Sequence, residues 1–188
     1  MRNTGDVIDC CVRVLHPARA AEDAGGTFGV WNASSMSADF SPLPIYLQVG
    51  LAPCPPLEKR QMTATFFVIG RHAQTHSSLL QRMRDAGHAI GGHTMNHEHG
   101  WRTGTARYLA TAQASLEATG SEDQLFRPPH GKLTRAQALG IRPHAQVVMW
   151  DVLSGDYAAK GEEGARRVLQ RLKKHTRPGS IVVFHDSL

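Results

Sequence analysis

The chain has 188 residues, which is enough for one domain with a hydrophobic core. Hydrophobic residues make up 41% of the chain and charged residues 20%, values that exclude a disordered chain or a fibre. The net charge is +5, but the basic residues are scattered and their one cluster, Arg171 to Arg177, contains no aromatic residue, so we expect no nucleic-acid partner. No segment is apolar enough to span a membrane, no signal peptide pattern follows Met1, and the oligomeric state and cellular location stay open.

Residues 1–60 are predicted to form an irregular N-terminal segment. Ala24 to Phe40 is rich in small and polar residues, and Pro53-Cys54-Pro55-Pro56 bars regular structure. Only Ile45 to Leu51 is typical of a strand there. Three cysteines without a C-x-x-C spacing predict neither a disulfide framework nor a zinc knuckle.

Residues 61–188 show the regular pattern of a folded domain, in which apolar runs alternate with amphipathic helical stretches. The predicted strands are Ala64–Ile69 (buried on both faces), His88–Ile90, Leu125–Phe126, Gln146–Trp150 and Ser180–Phe184. Helices are predicted around Leu79–Met83 and Tyr108–Leu116, ending at Gly87 and Gly120, and from about Gly164 to Lys174. This alternation favours parallel strands with right-handed crossovers, in an open doubly wound sheet or a barrel.

Polar residues of several kinds follow these apolar runs. The carboxyl ends of parallel strands share one edge, and in α/β folds that edge carries the active site. The sequence therefore predicts that imidazole, guanidinium and carboxylate groups meet at one site. The residues are His93, His97, Arg127, Asp151, Asp156, His185 and Asp186.

The segment His93-Thr94-Met95-Asn96-His97 places two histidines four residues apart. This spacing lets both imidazoles bind one metal ion, either from one face of a helix or from a tight loop. Imidazole suits zinc, copper, iron and nickel better than calcium or magnesium. The alternative is a pair of exposed loop histidines.

Four motifs together resemble the polysaccharide deacetylases with the NodB-homology domain. They are His93–His97, Phe126-Arg127-Pro128-Pro129-His130-Gly131, Trp150–Tyr157 and Val183-Phe184-His185-Asp186, and the strand from Ala64 to Gly70 precedes them as in that family. The resemblance covers Thr63 to Leu188. It implies a distorted and incomplete (β/α) barrel that removes acetyl groups from N- or O-acetylated sugars of an oligo- or polysaccharide.

The resemblance also implies roles for individual residues. His93 and His97 would bind a divalent metal, commonly zinc. Arg127 would orient the catalytic base, and Asp156 would hold His185, the general acid that protonates the departing amine. The substrate-binding residues would be Phe126, Pro129, Trp150, Tyr157 and Val183, the last in the pocket for the acetyl methyl group.

The first motif of the family, Thr-Phe-Asp-Asp-Gly-Pro, has only a partial counterpart in Tyr46–Pro53. Gly50 and Leu51 stand where the family has the base and the third metal ligand, and His130 stands where it mostly has tyrosine. Three explanations are open. The chain is a fragment whose first region is not the natural coding frame, or a catalytically dead glycan-binding pseudoenzyme, or another carboxylate, Asp39 or Glu98, replaces the lost pair. We accordingly expect weak zinc binding and little acetate release.

Overall fold

A computed structural model describes the backbone of residues 7–12, 63–177 and 179–187 and the side chains of residues 63–177 and 179–185. The strand predicted at Ile45–Leu51, the glycine–leucine replacement at 50 and 51, and Asp39 lie outside the described residues.

The described residues form one mixed sheet of seven strands in the order β5-β4-β3-β2-β1-β7-β6. The strands are β1 (Val7–Val12), β2 (Thr65–Val68), β3 (Ala89–Gly92), β4 (Leu125–Phe126), β5 (Gln146–Val147), β6 (Val152–Leu153) and β7 (Val182–Ser187). Strands β2 to β5 pair in parallel, and so do β6 and β7. The predicted parallel α/β architecture is confirmed for these two groups.

Strand β1 joins the two parallel groups, and the sequence pattern did not predict it. It pairs antiparallel with both β2 and β7, within the N-terminal segment expected to be irregular. Because β1 runs against both neighbours, β2 and β7 point the same way. The carboxyl ends of all six remaining strands therefore lie at one edge, which is the condition for a shared site.

The predicted strand Gln146–Trp150 is wrong in extent, because this apolar run crosses from one end of the sheet to the other. Val148 N–H still donates to Phe126 O on β4 (2.8 Å), whereas Asp151 and Val152 N–H both donate to Ile181 O beside β7 (3.2 Å). Only Gln146–Val147 of the run forms a strand, β5, and the chain then crosses to β6 (Val152–Leu153) at the opposite end of the sheet order. Within the described residues these two do not pair, so the barrel is curved but not closed.

Helices cover the sheet. They are α1 (Gly70–Thr75), α2 (Ser77–Asp85), α3 (Thr105–Thr119), α4 (Arg135–Ile141) and α5 (Gly161–His175). Both predicted glycine stops are confirmed: Gly87 has φ 80°, and Gly120 caps α3 with φ 54°, a conformation that costs glycine little. Helix α5 begins one turn before the predicted start. No helix in the described part of the chain is long and apolar enough to cross a membrane.

Strand β2 divides the core into two sides, as its two-sided apolar pattern predicted. Phe66 and Val68 pack under α1 and α2 with Leu80, Met83 and Ile90. Phe67 points the other way, into an interior cluster with Leu125 and Val183. This interior cluster lies directly beneath polar residues of the carboxyl edge: the Arg127 guanidinium, for example, packs on the Phe67 ring.

The close contact of β3 with its neighbours depends on Gly91. A Cβ added there would lie 2.7 Å from both Leu125 O and the Phe67 ring. We expect Gly91→Ala to lower the free energy of unfolding by about 1–3 kcal/mol, since backbone and ring must both shift. Gly104→Ala is the matched control, because a Cβ there meets nothing within 4 Å, and it should change stability by less than about 1 kcal/mol. Urea unfolding of both variants measures this; equal losses would contradict the packing argument.

Candidate active site

His93 follows β3 directly and is fully buried, in a loop and not on a helix. Its Nδ1 lies 2.7 Å from the backbone oxygen of Arg127. A carbonyl oxygen can only accept, so Nδ1 carries the proton and Nε2 keeps its lone pair. In metal sites, a hydrogen bond of this kind, from the ring nitrogen that does not bind the metal, orients the metal-binding histidine.

His97 lies close to His93 and begins a row of imidazoles. The two ring centroids are 5.1 Å apart. His97 is 4.6 Å from His130, which in turn is 5.3 Å from His99. Thr94 and His97 both have positive φ (59° and 61°), so a tightly folded loop and not a helix brings the two ligand candidates together. We call His93, His97, His130 and His99 the histidine row.

Arg127 is fully buried below this row. Its guanidinium donates to the backbone oxygens of Val148 (3.0 Å) and Met149 (3.1 Å). The Cζ atom lies 4.2 Å from the centroid of Phe67 and 5.4 Å from that of Trp150. These contacts give Arg127 a structural role in holding the edge together; its role toward a catalytic base stays a prediction.

Asp156 and His185 form a hydrogen-bonded pair on the β6–β7 side. The carboxylate accepts from His185 Nδ1 (2.9 Å) and from the His185 backbone N–H (2.6 Å). It also accepts from the Ser154 hydroxyl (2.8 Å) and the Tyr157 N–H (3.0 Å). Burial acts to raise the pKa of Asp156, but the hydrogen bonds from His185 and Ser154 outweigh it and hold that pKa below its usual range. The carboxylate is therefore ionised and orients the imidazole; the catalytic roles of both residues stay predictions.

The predicted groove residues separate into two groups. Trp150 and Val183 belong to the interior cluster with Phe67. Tyr157 is 58% exposed and meets the His185 ring edge-on at 5.0 Å, so it stands at the mouth of the site. Phe126, in contrast, packs under α3 and α4 with Tyr108 and Ile141, on the helix side of the sheet. The expectation that its side chain lines the groove is therefore corrected: β4 turns it away from the interior.

Pro129 is buried at the start of a 3-10 turn, Pro129–Gly131, that packs on Trp150. Gly131 has φ 63°, and an added Cβ would lie 2.8 Å from the Trp150 ring. This close approach brings His130, Trp150 and Arg127 into one neighbourhood. The turn thereby connects the histidine row to the interior cluster.

Two of the carboxylates considered from the sequence, Asp151 and Glu98, are bound within loops. Asp151 accepts from the Ser180 hydroxyl (2.7 Å) and the Ile181 N–H (2.6 Å) and fixes a loop, so it is not part of the site. Glu98 accepts from the backbone N–H (3.0 Å) and the amide (3.1 Å) of Asn96, which ties it to its own loop. The side chain of Asp186 lies outside the described residues.

The histidine pair fits part of a metal site. Two imidazoles on one tetrahedral zinc have centroids roughly 5 Å apart at ordinary Zn–N distances, which is the spacing of His93 and His97. Among residues 63–177 and 179–185, however, no three His, Cys, Asp or Glu side chains are grouped to hold a metal. Glu98 thus does not complete the set, and the expectation of a substitute there is corrected for the described residues.

One carboxylic residue that the sequence pattern did not single out lies beside the site. Asp9 on β1 is in register with Phe67 on β2 and with His185 on β7. In the sheet, its backbone position is therefore between that of Phe67, in the interior cluster, and that of His185. No local signal could have found it, because its partners in the sheet come from distant parts of the chain.

Comparison with known proteins agrees with this geometry. A profile of the family described as polysaccharide deacetylase matches residues 52–144. A chitooligosaccharide deacetylase of Azorhizobium caulinodans is 32% identical over 165 residues, which cover 82% of this chain and 75% of that protein. The chain belongs to the polysaccharide deacetylase family. A second relative within the family, the peptidoglycan-N-acetylmuramic acid deacetylase PdaA of Bacillus subtilis, is 31% identical over 69% of this chain.

The chain spans only part of several polysaccharide deacetylases, and 51% of the Bacillus subtilis protein. Among solved structures, a mutant of BA3943, described as a CE4 family pseudoenzyme with restored enzymatic activity, matches with a TM-score of 0.59 and 26% identity. The match covers 67% of this chain and 47% of that one, and the wild-type protein is from Bacillus anthracis. The similarity supports a fold of the (β/α)-barrel type.

Metal binding tests the histidine pair. We expect zinc to bind weakly and to be lost on dialysis against a chelator, because two imidazoles leave the site short of the three protein ligands usual for catalytic zinc. His97→Ala and His93→Ala should each abolish the binding seen by titration calorimetry, whereas His144→Ala, at an exposed histidine on another surface, should not. Zinc that stays stoichiometric after chelation would contradict weak binding and reveal a further ligand.

Acid unfolding tests the Asp156–His185 pair. Because the pKa of Asp156 is lowered in the folded chain, its contribution to stability is fully present above the pKa of an unfolded aspartate and is lost as the pH falls through the lowered value. Asp156→Asn should destabilise the chain near neutral pH, and its difference from wild type should shrink between about pH 5 and about pH 2. Urea unfolding across this range measures the difference. A difference independent of pH would show that the carboxylate charge is not involved.

Proposed function

We propose that the chain acts on N-acetylated sugars of a polysaccharide as a metal-dependent deacetylase in which the acid half of the machinery is intact. The observation that carries this proposal is the hydrogen-bonded Asp156–His185 pair, at the same carboxyl edge of the sheet as the histidine row. Deacetylation of an amide needs a proton for the departing nitrogen, and an imidazole held by an ionised carboxylate is suited to give it.

His185 is the proton donor in this proposal. Asp156 binds its Nδ1 and its backbone N–H at once, so both the tautomer and the position of the ring are fixed. The proton on Nδ1 stays bonded to Asp156, and the proton given to the departing nitrogen is the second one, on Nε2 of the imidazolium form, so that its delivery leaves the neutral ring with its Nδ1–H. Tyr157 lies edge-on against the ring and restricts its rotation. Val183 is fully buried and precedes His185 by two residues on β7. In this proposal it bounds an apolar space for the methyl group of the acetyl.

His93 and His97 would hold the divalent metal, which supplies polarisation of the acetyl carbonyl and a lowered pKa of bound water. The chain fixes His93 through the Arg127 backbone, so that its Nε2 is the nitrogen available to a metal. Trp150 packs against the Pro129–Gly131 turn and, in this proposal, excludes water from the interior cluster around Phe67.

The base half is deficient. The two aspartate positions of the family motif hold Gly50 and Leu51, which have no side chain able to accept a proton. Loss of general base assistance alone costs about 10²- to 10⁴-fold in rate, so we expect little acetate release. Asp9 on β1 is in register with His185 on β7, and for that reason it is our candidate for a remaining base.

Acetate release from an N-acetylglucosamine oligomer, with and without added zinc, tests the proposal. We expect a slow, zinc-dependent release that His185→Ala abolishes and that Asp9→Asn reduces further, while Asp151→Asn leaves it unchanged. Circular dichroism checks that each variant folds. Efficient release by the unmodified chain would overturn the deficient base, and release that persists in His185→Ala would overturn the acid role.

A catalytically dead glycan-binding protein is the second candidate. The presence of Gly50 and Leu51 where the family motif has its aspartate pair favours it. Under this reading Trp150 and Tyr157 still hold a sugar. Binding of an N-acetylated oligosaccharide with no acetate released at any zinc concentration would select it over the enzyme.

A further inference from the structure

The far end of the histidine row carries an exposed tryptophan. Trp101 is 63% exposed, the most exposed of the large hydrophobic side chains described. Its ring is 6.2 Å from that of His99, the last member of the row that begins at His93. Trp101 therefore lies on the same surface as the candidate metal ligands but some distance along it.

This tryptophan is held firmly in spite of its exposure. Its Nε1–H donates to Leu133 O (3.3 Å), and Gln137, fully buried, donates from Nε2 to Gly100 O (2.8 Å) and Thr103 O (3.0 Å) on either side of it. A Cβ on Gly100 would lie 2.1 Å from Lys132 O, so the two loops are in direct backbone contact. A rigid aromatic surface in water loses little entropy when a ligand packs on it.

A cation accompanies the ring. The Nζ atom of Lys132 lies 4.2 Å from the Trp101 ring centroid. No ion pair joins Lys132 to a carboxylate within residues 63–177 and 179–185. Arg102 and Arg135 are exposed close by in sequence and add positive charge to the same loops. The surface thus combines an apolar aromatic face with an ammonium that is available to an anion.

We propose that Trp101 and Lys132 form a subsite for a carboxylate-bearing sugar, next to the sugar that is deacetylated. The indole packs on the apolar face of the sugar ring, and the ammonium pairs with the carboxylate. The substrate class is then an N-acetylated polysaccharide in which sugars carry acid groups, not a neutral polymer of N-acetylglucosamine. This inference rests on the proposed function, because it deepens the choice of glycan at that same site.

Binding by the full chain in chelator, where no turnover occurs, tests the subsite. The probes are a peptidoglycan-derived tetrasaccharide of alternating N-acetylglucosamine and N-acetylmuramic acid, the same tetrasaccharide with its carboxylates esterified, and chitotetraose. We expect titration calorimetry to show tighter binding of the acidic probe by about fivefold, the most that one exposed ion pair gives. The esterified probe should bind like chitotetraose, and salt should reduce the preference.

Two sets of variants, each with its own control, separate the effect of charge from that of stacking. Lys132→Gln should remove the preference for the acidic probe and Lys132→Arg should keep it, whereas Lys173→Gln, an exposed lysine on α5, should have no effect. Trp101→Ala should weaken both acidic and neutral probes by about tenfold. Leu139→Ala removes a comparably exposed hydrophobic side chain on α4 and should leave affinity unchanged.

Equal affinity of the wild type for the acidic and neutral probes, a preference that survives Lys132→Gln, or no binding of either probe would overturn the subsite. These outcomes are distinct from failure of the proposed chemistry. If zinc-loaded protein releases no acetate but the preference for the acidic probe depends on Trp101 and Lys132, the subsite stands and the deacetylase does not.

Discussion

The buried guanidinium of Arg127 is the constraint on which the site depends. Arg127 lies where β3, β4 and the end of β5 meet. Its backbone N–H donates to Gly92 O, and its backbone oxygen accepts from His93. Its guanidinium donates to the carbonyl of Val148, just after β5. A fully buried charge is costly unless it is hydrogen-bonded and packed, and the Phe67 ring below supplies the remaining contact. Since the same residue orients His93, a candidate metal ligand, and connects β4 to the segment after β5, loss of Arg127 would disturb both the histidine pair and the fold.

The two halves of the site are built by different physical means. His93 and His97 are placed by a loop with two positive φ angles, so backbone conformation sets their spacing. His185 is placed by a strand and by a carboxylate that accepts four hydrogen bonds, so electrostatics set its orientation. The geometry of the Asp156–His185 pair therefore does not depend on residues 46–53, because none of the hydrogen bonds described for that pair involves them.

Much of this could be predicted from the sequence where the signal is local. The histidine spacing, the glycine stops at Gly87 and Gly120 and the two-sided β2 depend on neighbouring residues, and each is confirmed. The strand predicted at Gln146–Trp150 is too long, because a strand and a segment that crosses the barrel opening are equally apolar in sequence. Trp101 has no periodic pattern around it, and its importance depends on Lys132 and on Leu133, which accepts its hydrogen bond from 32 residues away. Asp9 became visible only through pairing with β7 at the opposite end of the chain.

Strand β1 has a consequence for how the chain reaches this structure during synthesis. Strand β1 (Val7–Val12) is synthesised before either of its partners, and β7 (Val182–Ser187) comes much later in the chain than β2. Until β7 is made, β1 presents an open edge of unpaired N–H and C=O groups, the kind of edge that recruits other chains. Such non-local pairing is slow, and the intermediate exposes apolar surface while it waits. The yield of native protein should therefore be governed by chaperone supply and temperature at translation more than by the final stability of the barrel.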